Sequence, residues 1–306
     1  MKSNRRWVET STALLKRNEN MKILKKLFIF LLVIVLLAGG VCVGGYFYIK
    51  GTYGIDLIQT VKELKKFNEY VDENTLCPHA FWDSDMIYAK DEINNSAEDF
   101  ITYTSENGYV VNFDNLPAEM KTVIRLTDKQ VGALAKTIIQ QELGSKFDLG
   151  GKDLEIMLKQ VKFSSITADS VLVNTIVRVD ITPYKNDMPD KFPFSYLSLH
   201  IPDGVYVSST VKIQKGLTPF SYFVSHDTLT VNNLNKAETE DLFNTLDIVM
   251  GVGDIASWNE KIGSVVANAL IGNEENNGLA YSLKSIGATD YEFSEDGENA
   301  YFSVLR

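Results

Sequence analysis

The sequence predicts an α+β protein in which an N-terminal transmembrane helix precedes an ectodomain with an antiparallel β-meander and several amphipathic helices. Residues 27–49 form an uncharged apolar run. Residues 154–234 hold successive strand-like segments separated by short turns, and capped segments with apolar residues every three or four positions flank them. Helices and antiparallel strands in separate blocks are typical of this class. Of the 306 residues, 45% are apolar, which is enough for a membrane anchor and a domain with its own hydrophobic core.

The apolar run is long enough to cross a bilayer. It reads LFIFLLVIVLLAGGVCVGGYFYI, and a helix of about 20 residues already spans the hydrocarbon core. Basic residues precede the run and aromatic residues close it, which indicates a cytoplasmic N-terminus. We therefore expect a basic cytoplasmic tail (1–26), a transmembrane helix (27–49), a juxtamembrane helix or linker (50–75) and an extracytoplasmic domain (76–306) in the cell membrane.

A cleaved export signal and a lipidated cysteine are the two alternatives to a transmembrane helix in this region. A cleaved export signal has a shorter apolar core and a small-residue cleavage site, whereas this run is long and ends in aromatic residues. Lipidation of Cys42 would require a small residue before it, and Val41 stands there. Met21 begins a compact basic segment of its own, so Met1 and Met21 both remain candidate starts. Either start leaves the predicted topology unchanged.

Charge is distributed unevenly along the chain. Eight basic and two acidic residues precede Leu27, a net charge of +6, which leaves −16 for the remainder because the whole chain carries −10. So acidic an ectodomain should repel nucleic acid and anionic wall polymers, and charged partners should be cationic. The alternative is that the acidic surface serves solubility alone.

A second feature of the predicted span is the pair Gly40 and Gly44. Their G-x-x-x-G spacing lets a second helix approach closely, so we expect a homodimer through the span as one option. The alternative is that small residues are simply tolerated near the interface.

The first part of the ectodomain holds a helix and a hairpin. Apolar residues recur at three- and four-residue steps from about 55 to 71, which predicts a helix. The segments FITYT and YVVNF flank Asn107-Gly108, which favours positive φ and predicts a hairpin over 100–113.

The best-marked helix follows. Thr127 with Gln130 forms a capping box, and Gly144 is a suitable C-terminal cap. The helix carries one apolar stripe, formed by Val131, Leu134, Ala135, Ile138 and Ile139.

The middle of the domain is rich in strands. Alternating apolar residues and intervening turns predict strands at about 156–166, 171–181, 194–201, 205–213, 220–224 and 228–234, the last two around His226-Asp227. Because consecutive strands are joined by short turns, we expect a meander.

Two capped helices and a hairpin complete the chain. Asn235 with Glu238 opens the first helix, and Ser257 with Glu260 opens the second, which ends at Gly272. A closing hairpin is predicted over 291–294 and 300–305, around Asp296-Gly297.

Catalytic and metal-binding patterns are weak throughout. Ser209-x-x-Lys212 matches the S-x-x-K string of serine enzymes, but that chemistry needs both residues on one helix face, and here strand alternation sends them to opposite faces. Asp83-Ser84-Asp85 lacks the other ligands of a calcium loop, so we expect a solvated acidic loop. We expect no enzyme, no cofactor and no metal.

Cys77 is a lone cysteine outside the predicted span. Cys42 lies within the span, so no intramolecular disulfide is expected. Cys77 is either buried as a small apolar residue or available for an intermolecular bond.

The order of elements resembles a known group of proteins. The segments LTDKQVGALAKTII (126–139), IPDGVYVSSTVKI (201–213) and DTLTVNNL (227–234) look like those of single-span extracytoplasmic proteins of Gram-positive bacteria whose ectodomains have tubular lipid-binding (TULIP-like) folds. The resemblance covers about half of the ectodomain and contains no diagnostic motif. It implies a curved sheet wrapped on a helix, with an apolar groove between them.

Two functions follow as hypotheses. The first is a non-enzymatic module that binds a lipid or another apolar envelope ligand. The candidate groove consists of valines on two strands: Val173, Val177, Val179, Val205, Val207 and Val211. The alternative is a protein-interaction or scaffold domain of a cell-envelope complex. The first requires an internal apolar cavity, and the second an exposed patch on a closed core.

Overall fold

The computed structural model describes residues 47, 50, 51, 56–114, 116–143, 146–149, 152–186, 202–250 and 253–306. The chain divides into two units, Met1–Gln59 and Thr60–Arg306. Nearly all of the predicted span, with Gly40 and Gly44, lies outside the described residues, as do the basic tail, the predicted strand 194–201 and Gly144. In the described part, no helix is both long enough and apolar enough to cross a membrane.

Helices and strands alternate in blocks, which confirms the α+β class. The helices are α1 (Leu57–Phe67), α2 (Glu73–Leu76), α3 (Asp83–Ser96), α4 (Asp128–Leu143), α5 (Thr182–Asn186), α6 (Lys236–Met250), α7 (Ile255–Leu270) and α8 (Leu279–Ser282), followed by a 3₁₀ helix (Leu283–Ile286). The strands are β1 (Ile101–Thr104), β2 (Gly108–Val111), β3 (Ile124–Thr127), β4 (Lys146–Leu149), β5 (Lys152–Ser164), β6 (Ser170–Asp180), β7 (Gly204–Lys215), β8 (Tyr222–Val231), β9 (Asp290–Glu295) and β10 (Ala300–Leu305).

Among the described residues the strands form three antiparallel sheets. The largest has the order β4-β5-β6-β7-β8, so the predicted meander is confirmed. A second sheet has the order β3-β10-β9, and β1 and β2 form a separate hairpin. T-shaped packing of Phe163 on Phe293, with ring centroids 5.2 Å apart, connects the two larger sheets. Helices α4 and α7 pack against the inner face of the meander and against each other.

Strand β8 corrects one prediction. The segments 220–224 and 228–234 were expected to be two strands around a turn, but Tyr222–Val231 is a single strand. Thr210 pairs with Thr228 while Val211 pairs with His226, so Asp227 is the extra residue of a β-bulge. Polar residues at a bulge resemble a turn in the sequence, which explains the error.

Two of the three predicted helix caps are confirmed. Thr127 and Gln130 exchange backbone-to-side-chain bonds of 2.8 and 3.4 Å, and Asn235 and Glu238 exchange bonds of 2.8 and 3.0 Å. Helix α7 is an exception, because its N-cap is Asp254, which accepts from the backbone N–H of Ser257 at 2.8 Å. Ser257 therefore lies inside the first turn.

Helix α3 was not predicted, and it corrects the interpretation of Asp83-Ser84-Asp85 as a solvated loop. These residues form the first turn of the helix, where Asp85 accepts from the backbone N–H of Trp82 at 2.7 Å. Carboxylates are favourable at this end of the helix dipole. The sequence did not indicate this helix start because Trp82 occupies the N-cap position, where a small polar residue is usual.

The predicted hairpins are confirmed. Gly108, at φ +70°, follows a three-residue loop between β1 and β2, and Gly297, at φ +92°, lies between β9 and β10. Glycine is favoured at both positions because positive φ is strained for other residues. The sequence did not indicate that β3 would join β9 and β10, since that pairing joins distant parts of the chain.

Candidate functional site

An open cleft lies beside the β1–β2 hairpin. It has a volume of about 500 Å³ and runs between β2, helix α4 and the start of helix α3. We call it the β2–α4 cleft, and its lining includes Trp82, Met86, Tyr109, Ala133, Lys136 and Gln141. It combines aromatic rings, small side chains and carboxamides, a mixture typical of binding surfaces.

Two carboxamides clamp the hairpin at its base. The Gln141 side chain accepts from the Val111 backbone N–H and donates to the Val111 carbonyl, both at 2.9 Å. On the other edge, the Asn94 side chain accepts from the Ile101 N–H at 2.9 Å and donates to the Ile101 carbonyl at 2.8 Å. Ile101 and Val111 are cross-strand partners, so helices α3 and α4 hold the same point of the hairpin from opposite sides.

The clamps also fix which backbone groups face the cleft. The Asn112 N–H donates to the Phe100 carbonyl, so Phe100 and Asn112 are hydrogen-bonded to each other across the hairpin. Val111 instead directs its backbone groups outwards, away from β1, to Gln141. Antiparallel strands alternate inward and outward pairs, which places the N–H and C=O of Tyr109 outwards as well. Among the described residues, no side chain takes these two groups as Gln141 takes those of Val111.

Trp82 and Tyr109 line the cleft, and the ring of Tyr103 lies beside that of Tyr109. Trp82 is 66% exposed and Tyr103 62% exposed, and the rings of Tyr103 and Tyr109 lie 5.0 Å apart. Burial raises the pKa of Tyr109, and Tyr103 and the carboxylates of Asp83 and Asp91 raise it further, which keeps this hydroxyl protonated. Exposed aromatic rings beside a cleft give a partner apolar surface to contact while the hydrophobic core stays closed.

The wall of the cleft depends on a close approach. A Cβ placed on Gly132 would lie 2.4 Å from Cδ1 of Phe81, so only glycine lets this ring lie against helix α4. Phe81 in turn positions Trp82, the next residue, at the opening.

The six predicted groove valines have a different position. They pair across β6 and β7 as Val173–Val211, Val177–Val207 and Val179–Val205. Each is at most 4% exposed, and all belong to the main hydrophobic core. A Cβ on Gly263 of helix α7 would lie 2.5 Å from a methyl carbon of Val211, so the helix packs directly on this face. The structure thus brings the six side chains together and covers them.

Ser209 and Lys212 lie on opposite faces of β7, as predicted. Ser209 is fully buried and donates to Oδ1 of Asn259 at 2.5 Å, whereas Lys212 is exposed. The Asn259 amide nitrogen donates to the Thr210 carbonyl at 2.8 Å and lies 2.6 Å from Nδ1 of His226. This polar group lies beside the β8 bulge inside the core, so Ser209 is not accessible as a nucleophile.

Cys77 is buried, which agrees with the small apolar residue of the first alternative. Burial raises the pKa of its thiol to about 11. A protonated, buried thiol reacts slowly, so an intermolecular disulfide at this position is disfavoured. In the described part of the chain, no three His, Cys, Asp or Glu side chains form a metal-binding group.

The β2–α4 cleft was not predicted from the sequence. Its one sequence signal was the row of aromatic residues at 82, 103 and 109, which have no obvious partner in a helical or strand pattern. Asn94 and Gln141 gave no signal, because exposed carboxamides are common on helices.

Comparison with protein families, with curated proteins and with solved structures found no match to this chain.

Proposed function

We propose that this chain is a membrane-tethered, non-enzymatic module whose β2–α4 cleft binds a partner polypeptide of the cell envelope. The observation that carries the proposal is an open, aromatic-lined cleft of about 500 Å³ on a domain whose predicted valine groove is packed into the core. Trp and Tyr are enriched where proteins bind other proteins, because each ring buries a large area with little loss of conformational entropy.

The acidic surface supports the same proposal. A net charge of −16 beyond residue 26 favours uncharged or cationic partners and disfavours nucleic acid. Lys136 and Asp83 both line the cleft, so its local charge is close to balanced and does not require a strongly charged ligand.

The apolar-ligand hypothesis has less support. The six valines are buried in the main core, and helix α7 packs directly on Val211, so a lipid could reach them only after packed elements moved apart. Separating packed core elements would lose several kcal/mol of burial. The resemblance to tubular lipid-binding ectodomains adds no residue that could hold a ligand.

The tether is part of the proposal. The apolar run 27–49 would anchor the chain in the bilayer with the N-terminus in the cytoplasm, and Gly40 and Gly44 would allow two spans to pair. A binding module held at the membrane meets its partner at a raised local concentration.

A peptide library tests the cleft directly. Random ten-residue peptides displayed on phage are selected against the full chain in detergent, and binders are then measured against Trp82→Ala and Phe223→Ala. Both side chains are exposed aromatics, at 66% and 68%, but only Trp82 lines the cleft. We expect Trp82→Ala to weaken binding at least about tenfold, as for an aromatic hot spot, and Phe223→Ala to leave it unchanged.

Failure to enrich any peptide would overturn the proposed function. So would peptides that lose equal affinity in both variants, because binding would then not depend on the cleft.

A further inference from the structure

We propose that the partner segment, if the cleft functions as proposed above, binds in extended form as a third strand along the free edge of β2. Its main-chain groups would bond to the N–H and C=O of Tyr109, and Gln141 would mark the point where the added strand ends.

The outward direction of the Tyr109 backbone groups favours an added strand. The outward bonds of Val111 to Gln141 set the phase of the strand, and Tyr109, two residues earlier, points the same way. Gly108, Tyr109 and Val110 all line the cleft, so this edge borders open space. An open strand edge is a template for another strand.

The Gln141 carboxamide, which already occupies part of this edge, has the chemistry of a peptide group. A carboxamide carries one carbonyl acceptor beside an N–H donor, as a peptide group does. Gln141 uses both on Val111 at 2.9 Å, the arrangement a neighbouring strand would make. The next outward position along the edge, Tyr109, can make the same pair of hydrogen bonds with the backbone of a bound polypeptide.

The cleft has room for a third strand, and such a strand would stabilise the hairpin. Ala133 and Thr137 are small residues one turn apart on the α4 wall of the cleft, opposite the edge. Neighbouring strands need only about 4.8 Å between them. A hairpin of two strands is marginal by itself, and a third strand adds the pairing that such a hairpin lacks.

The opposite edge of the hairpin is the less suitable one. Asn94 clamps Ile101 on β1 as Gln141 clamps Val111 on β2, so the two edges are alike in their hydrogen bonding. The β2–α4 cleft lies on the β2 side and is lined by three β2 residues, whereas no β1 residue lines it. The open space therefore selects β2.

The experiment uses the peptides selected on the cleft. Each is resynthesised with one backbone amide N-methylated at a time, and its affinity for the full chain is measured. We expect methylation at one residue, whose N–H donates to the Tyr109 carbonyl, to weaken binding at least about tenfold, while methylation at its two neighbours, whose N–H groups face away from β2, leaves binding unchanged. The Tyr109 amide should also exchange its hydrogen more slowly in the complex.

A pair of variants isolates the backbone donor. Tyr109→Pro removes the N–H, which faces away from β1 and can be lost at an edge strand, while the control Tyr109→Val removes the ring and keeps the N–H. We expect Pro to weaken peptide binding at least about tenfold more than Val. Exchange at the Thr102 and Val110 amides checks that the hairpin remains intact, and if it does not, the methylation pattern decides.

Equal binding by the two variants with an intact hairpin would overturn this inference, and so would a methylation profile without one sensitive amide between two tolerant neighbours. Either result would leave cleft binding itself intact. A library that yields no peptide dependent on Trp82 would instead overturn the proposed function.

Discussion

The Thr175 hydroxyl is buried in the meander core at zero exposure, between Val173 and Val177 on the inner face of β6. In the described part of the chain this hydroxyl has no hydrogen-bond partner. Ser209, its cross-strand neighbour, instead bonds to Asn259. A buried hydroxyl without a partner loses its hydration and gains nothing in return.

We therefore predict that Thr175→Val raises the free energy of unfolding by about 1 kcal/mol, because valine has the same shape without the hydroxyl. Urea unfolding of the full chain measures the effect. Ser209→Ala is the control and should lower stability, since it leaves Asn259 without one partner. Destabilisation by Thr175→Val would mean that the hydroxyl is satisfied in solution.

At the scale of elements, helix α2 lies on the outer face of the meander and is held there by one carboxylate. Glu73 accepts from the Tyr206 hydroxyl at 2.6 Å and from Lys159 Nζ at 2.9 Å. The hydrogen bond from Tyr206, followed by that from Lys159, lowers the pKa of Glu73 from its ordinary value. Burial, with Glu73 beside it, raises the pKa of Tyr206 to about 12. The charged form of Glu73 thus stabilises the folded state.

The sign of the pH dependence follows. Because the folded pKa of Glu73 is depressed, its contribution is complete above the unfolded value and disappears as pH falls through the folded one. We predict that stability declines less between about pH 5 and pH 3 in Glu73→Gln than in the wild type. Urea midpoints across this range provide the measurement. The exposed Glu69→Gln should keep the wild-type slope, and a Glu73→Gln slope equal to wild type would contradict the assignment.

At the scale of the whole molecule, the proposed topology places Cys77 outside the cell and the N-terminus inside. Cys77 is buried, so a membrane-impermeant thiol reagent should label it in intact cells only after mild denaturation. A reporter fused to the N-terminus should meanwhile resist external protease. Cys77→Ser should abolish the external labelling. Digestion of the reporter in sealed cells would reverse the orientation.

Local chemistry made part of this fold predictable. The Thr127–Gln130 and Asn235–Glu238 capping boxes, the Gly108 hairpin and the alternation in β6 each depend on residues within a few positions of one another. Hydrogen bonds and φ preferences at such short range need no knowledge of the rest of the chain. The start of α3 and the β8 bulge were missed because their local signals resemble those of loops and turns.

The sequence by itself therefore determined the α+β class, the meander and the starts of α4 and α6, and it predicted an anchor that lies outside the described residues. Only the tertiary structure decided what the strand faces do. Whether Val211 lines a groove or a core depends on where helix α7 packs, and Gly263 of that helix meets Val211 across 52 positions of the chain. The β2–α4 cleft arises in the same way, because Gln141 meets Val111, thirty residues away, only after helix and hairpin have packed together. Burial is a property of the assembled layers, and periodicity shows which face is apolar without showing what covers it.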